Sequence, residues 1–149
     1  MKAAVVTELN KPLEFQELPD PEPSAGQVRI RMFASGICGT DLHAVHGFLP
    51  IQVPIVLGHE PVGTIDKLGP GVTKLQVGDR VGVSWVQDGC GRCVQCQRNK
   101  ELYCQNSISW MNNGGGNSEL MIAEAEGCTL LPVISTGRLQ LRFSVQDSL

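Results

Sequence analysis

The chain has no apolar stretch approaching the roughly 20 residues that a membrane-spanning helix needs, and its 149 residues carry a net charge of only -3. The first absence excludes an ordinary transmembrane helix. The second argues against nucleic-acid and membrane-surface partners, which require a marked charge imbalance. Met1-Lys2-Ala3-Ala4 has neither the basic segment nor the long apolar core of a secretory signal, so a cytoplasmic location is expected. No G-x-G-x-x-G or G-x-G-x-x-A turn opens a helix, and Gly114-Gly115-Gly116 has the wrong spacing to cradle a dinucleotide. Internal repeats, coiled-coil heptads and the helical segments of alternating βαβ units are also missing.

Glycine and proline, by contrast, are abundant: 17 Gly and 9 Pro punctuate the chain into short segments, as strands and turns require. Lys2 to Thr7 and Leu13 to Glu17 read as strands joined by a turn at Asn10-Lys11-Pro12, before a Pro-rich connector from Pro19 to Gly26. In Gln27 to Ala34, Val28, Ile30 and Met32 alternate with Arg29, Arg31 and Phe33, the two-residue period of a strand with one face in the core. Gly39 to Val45 fits a short helix. Ile55 to Leu57 and Gly63 to Leu68 read as strands around a Gly58-His59-Glu60 corner, and Val81 to Trp85 as another. Asn112 to Asn117 is expected to be a flexible loop, with strands resuming over Leu120 to Ala125 and Cys128 to Leu131. The fold class is therefore mainly β, a partly open β-barrel with short helices. A chain of this length can bury roughly 70% of its unfolded surface, enough for one core.

Six cysteines in a reducing compartment point to metal rather than disulfides when they cluster. Cys90, Cys93, Cys96 and Cys104 form C-x2-C-x2-C-x7-C, four soft ligands able to wrap a tetrahedral zinc. The lobe has too few large apolar residues for a core of its own, and Arg92, Arg98 and Lys100 lie near enough in sequence to offset the charge of four thiolates. Four thiolates leave no open coordination position, so zinc here would be structural. An iron–sulfur cluster, a redox cysteine pair and free thiols are the competing readings.

Upstream, Cys38-Gly39-Thr40-Asp41-Leu42-His43 is followed by Gly58-His59-Glu60. A thiolate and an imidazole are good zinc ligands, with Glu60 a third ligand or a neighbouring carboxylate; a buried thiol and an ordinary polar histidine are the alternative.

The run GHEPVGTIDKLGPGV from Gly58 to Val72 resembles the zinc signature of the medium-chain, zinc-dependent alcohol dehydrogenases. The Cys38–His43 segment, the four-cysteine lobe and Gly78-Asp79-Arg80-Val81 are similar to that family in the same chain order, covering roughly residues 1–132. The resemblance implies a GroES-like barrel in which Cys38 and His59 ligate a catalytic zinc, with Glu60 beside it. It further implies that Thr40 takes the alcohol proton, that His43 passes it towards solvent through the cofactor ribose, and that Asp41 holds the outward ring nitrogen of His59. Trp85 matches a substrate-pocket position and equally reads as a core aromatic. The parent reaction is oxidation of a small alcohol to an aldehyde or ketone with NAD or NADP, and a homo-oligomer is expected on family grounds alone.

The family continues beyond the equivalent of Leu131-Pro132 into a Rossmann domain, whereas only the divergent tail 133–149 follows here. No thiolate after Cys128 can act as the family's third zinc ligand, and Cys128 itself reads as a buried structural thiol. Residues 1–132 are thus expected to form one domain that is incomplete for hydride transfer. A non-enzymatic zinc-binding association module is the alternative, and a chaperonin component ranks last because it needs no metal ligands. Within the tail, Leu139, Leu141, Phe143 and Val145 alternate with polar residues, as a strand covering a barrel edge would.

Overall fold

A computed structural model describes residues 1–132, and the expected strand at Leu139 to Val145 lies outside them. Ten strands and two short α-helices follow one another as β1 (Lys2–Val6), β2 (Glu14–Glu17), β3 (Gln27–Gly36), α1 (Gly39–Val45), β4 (Ile55–Val56), β5 (Glu60–Leu68), β6 (Arg80–Val83), β7 (Val86–Asp88), β8 (Ile108–Ser109), α2 (Trp110–Asn113), β9 (Leu120–Glu124) and β10 (Cys128–Leu130). A five-stranded antiparallel sheet ordered β10-β6-β5-β3-β9 is the backbone of the fold, accompanied by a three-stranded sheet β2-β1-β4 and a two-stranded pair β7-β8. The sheets do not close into one continuous barrel, in line with the mainly β, partly open expectation.

The two-residue period of β3 survives in its burial: Val28 and Ile30 are fully buried, while Arg31 and Phe33 are exposed. Both join Ile55, Leu57, Ile65, Val81, Met121 and Trp110 in the core. On the other face, Arg29 reaches across to Asp66 on β5 with Nε 2.9 Å from Oδ1 and also donates to the Pro21 carbonyl. A cross-strand ion pair thereby fastens the Pro-rich connector to the sheet.

Three boundaries differ from the sequence reading, each through long-range pairing. β5 starts at Glu60, because β3 runs on to Gly36 and pairs Gly36 with Glu60 through a bulge near Met32/Ala34. His59 therefore sits at a strand entrance. The expected strand Val81 to Trp85 ends at Val83, where Ser84 N–H turns to the Gly127 carbonyl, and the chain passes at Trp85 into the β7-β8 pair. Asn112 to Asn117 is an ordered crossing: its first residues complete α2, and Gly115, Gly116 and Asn117 donate to the carbonyls of Val56, Gly58 and Leu57.

Candidate metal centres

The four lobe sulfurs converge, all lying within 4.8 Å of one another. Cys93 Sγ is 3.5 Å from Cys96 Sγ and 3.8 Å from Cys104 Sγ, close to the ~3.8 Å edge of a tetrahedron built from ~2.3 Å zinc–sulfur bonds. The sequence assigned charge compensation to Arg92, Arg98 and Lys100, but the donors found at the sulfurs are backbone groups: Cys90 N–H meets Cys104 Sγ and Cys96 N–H meets Cys93 Sγ. Backbone N–H groups of Arg92 and Cys93 lower the Cys90 thiol to about 6. Burial and the neighbouring Cys93 sulfur push Cys96 up to about 12. Four converging sulfurs with backbone N–H donors turned towards them fit a metal site.

Gly89 is the lobe's steric hinge, since a Cβ there would lie 2.6 Å from Cys96 Sγ. Gly89→Ala is expected to weaken zinc binding by the lobe roughly tenfold or more, as overpacking by about 1–3 kcal/mol implies. Competition with a chromophoric chelator reads the change, and unaltered affinity would show that the lobe accommodates a methyl group.

The second centre is assembled at the junction of β3, α1 and β5. Cys38 is the N-cap of α1, His59 immediately precedes β5 and Glu60 opens it, and their ligand atoms lie within 4.8 Å of one another. Gly36, paired with Glu60, leaves the space its carboxylate occupies, because a Cβ there would collide with Oε2. Thr40 Oγ1 is 3.6 Å from Cys38 Sγ. Its backbone and hydroxyl, in that order, and then His59 hold the Cys38 thiol below its ordinary range.

Asp41, only 5% exposed, ties the corner together. One carboxylate oxygen accepts from Cys38 N–H at 2.9 Å, and the other accepts from Gly58 N–H at 3.3 Å and stands 3.3 Å from His59 Nδ1. Burial acts to raise the Asp41 pKa, but His59 and the two backbone donors outweigh it and the net shift is downward. His59 is shifted upward, chiefly by Asp41 and against the opposing effect of burial.

Cys38, Thr40, His59, Glu60 and Trp85 face one cleft of about 470 Å³ whose far wall includes Thr129 and Leu131. Trp85 lines this cleft and stands edge-on to His59, with ring centroids 4.8 Å apart. His43 is not among the residues lining the cleft; it is exposed on α1 and meets Phe48 edge-to-face at 5.9 Å. Cys128 lies outside both metal groups, and burial pushes its thiol up to about 12. The sequence reading missed Trp110, whose ring stacks on His59 at 5.9 Å. Ser109 followed by Asn112, a polar pair at capping spacing, was the one local sign that a helix starts there.

Residues 24–133 match the alcohol dehydrogenase GroES-like domain, and the chain belongs to that family. It is 44% identical over 138 residues to an alcohol dehydrogenase of Geobacillus stearothermophilus, covering 89% of this chain and 40% of the relative. An alcohol dehydrogenase of Rhizobium meliloti is 49% identical over 106 residues, or 70% of this chain and 31% of the relative. The solved alcohol dehydrogenase of the archaeon Aeropyrum pernix superposes with a TM-score of 0.80 at 33% identity, covering 89% of this chain and 40% of that one. An Escherichia coli alcohol dehydrogenase solved with NADH gives 0.80 at 36%, covering 89% and 39%. The chain thus spans about 40% of the length of the alcohol dehydrogenase of Geobacillus stearothermophilus. Among the described residues no helix is long and apolar enough to cross a membrane.

Proposed function

We propose that residues 1–132 form the zinc-holding catalytic domain of an alcohol dehydrogenase acting on a small alcohol or aldehyde with NAD or NADP, and that residues 133–149 are a separate tail. The carrying observation is the convergence of Cys38, His59 and Glu60 on one cleft. Cys38 and His59 would hold the catalytic zinc, with Glu60 as third or exchanging ligand, and Cys90, Cys93, Cys96 and Cys104 the structural one. Zinc at the first site would supply Lewis acidity, making a bound alcohol's proton acidic near neutral pH.

The chain's own residues do the rest. Thr40, next to Cys38, would take the alcohol proton on its hydroxyl and hand on its own, and His43, exposed on α1, would pass it to solvent through the ribose of a bound cofactor. Asp41 faces His59 Nδ1, 3.3 Å away, and would stabilise the orientation that leaves Nε2 for the metal. Trp85 shapes the apolar wall against which the substrate rests. The described residues carry no dinucleotide-binding motif, so no hydride-transfer step is assigned to them, and residues 1–132 by themselves are expected to be inactive. Neither nucleic acid nor a membrane is a partner in this reading.

Zinc stoichiometry tests the proposal on protein purified without added metal, beside a Cys38→Ser variant and an alcohol-plus-NAD(P) assay. Two zinc ions per chain falling to one in the variant, with no turnover, is the expected result. One ion unchanged by the substitution would favour a non-enzymatic zinc-binding association module. None at all would sink both metal assignments, and turnover would overturn the expectation of inactivity.

A further inference from the structure

We infer that Trp110 is a positioning residue for His59, its buried indole fixing the plane of the imidazole so that Nδ1 faces Asp41 while Nε2 is left for the Cys38–Glu60 side. This rests on the reading of His59 as a metal ligand. The two rings are 5.9 Å apart and 28° from parallel, and Trp85 stands edge-on to both His59 and Trp110, with ring centroids 4.8 and 5.6 Å away, so the three rings pack as one cluster. Trp110 is 1% exposed, whereas Trp85 lines the open cleft, so Trp110 is the fixed member of the pair.

Its own placement is heavily determined. Ser109 Oγ accepts from Met111 N–H and Ser109 N–H donates to Asn112 Oδ1, capping α2. At the other end, Asn113 Nδ2 donates to Glu124 and to buried Gln87, whose Oε1 also accepts from Glu124 N–H. α2 is thereby tied to β7 and β9. Among the described residues the buried indole N–H has no hydrogen-bond partner, and the contact with His59 is made through the ring face. The Asp41 contact at 3.3 Å is not aligned as a hydrogen bond and cannot by itself fix the ring plane. An aromatic face can.

The test uses the full chain with the four-cysteine lobe zinc-loaded and its three histidines labelled with 15N, comparing wild type, Trp110→Phe and Trp110→Met. Imidazole NMR well above neutral pH, where the ring is uncharged, is expected to show His59 as a single Nδ1–H tautomer in wild type and in the Phe variant, and as a tautomer mixture in the Met variant. Co2+ titration of the Cys38 site is expected to weaken roughly tenfold or more in the Met variant only, with the four-sulfur cobalt bands unchanged. A Met variant matching wild type in both readouts would overturn the inference. If cobalt fills only the lobe, the ligand reading fails, yet the tautomer comparison still decides the positioning. Should the Met variant not fold, ring relaxation in the wild type decides: an order parameter below about 0.6 for His59 would overturn the inference, and a rigid ring would uphold it.

Discussion

Stripping zinc from the lobe is expected to unfold residues 90–104 while the five-stranded sheet keeps its protection against amide exchange. The reason lies in what the lobe buries. Its only buried residues are Cys96 and Cys104, whereas Val94, Leu102 and Tyr103 are exposed by 58%, 73% and 71%. A segment that turns its apolar side chains outward has no hydrophobic term with which to oppose its conformational entropy. Structural zinc contributes an apparent ~10–16 kcal/mol in comparable sites, more than a typical domain's net stability. Cys96→Ser should therefore act like chelation, with exchange in 90–104 approaching that of unfolded chain.

Proton release gives the same prediction a second readout. Cys96, pushed up to about 12, enters as a thiol and must lose its proton to bind metal, whereas Cys90, lowered to about 6, is already a thiolate at neutral pH. The Cys90 contribution is present above its ordinary thiol range and fades as pH falls through about 6. Metal uptake near pH 7.5 should release at least one proton per zinc, measurable by calorimetry in buffers of different ionisation enthalpy. Protected amides in 90–104 after complete chelation would mean that some other interaction holds the lobe.

Both candidate ligand clusters were readable in the sequence because their residues are close in the chain or carry a distinctive pattern. The C-x2-C-x2-C-x7-C spacing limits how far apart its sulfurs can sit, and the alternation in β3 dictates its buried face. What escaped was set by contacts between distant segments. That β5 begins at Glu60 depends on β3 continuing to Gly36, and the strand break before Trp85 depends on Gly127, more than 40 positions away. Asn112 to Asn117, read as flexible from its glycines, is ordered by carbonyls at Val56, Leu57 and Gly58. Trp110 carries no motif at all; its neighbour His59 is brought to it only by the fold.

Asp41→Ala is expected to cost about 2–6 kcal/mol of stability, because it strands two N–H donors, those of Cys38 and Gly58, near a buried site at ~1–3 kcal/mol each. Zinc affinity at the Cys38 centre should fall roughly 10- to 100-fold, the usual effect of losing the partner behind a metal-bound histidine. Asp41→Asn separates the two causes, since its amide oxygen still accepts one backbone donor while the charge facing His59 is gone. The pH dependence has a definite sign when this centre is metal-free. Asp41 is shifted downward, so its contribution is present above about pH 4 and lost as pH falls through its folded value. His59 is shifted upward, so its contribution is complete below about pH 6.5 and lost as pH rises through its folded value. The stability gap between wild type and Asp41→Asn should therefore be widest at about pH 4–6.5 and narrow above neutrality, where the neutral imidazole becomes free to take a metal. Urea denaturation across that range reads the gap. A gap that widened with rising pH would mean that Asp41 serves the backbone of α1 alone and leaves the charge of His59 unsupported.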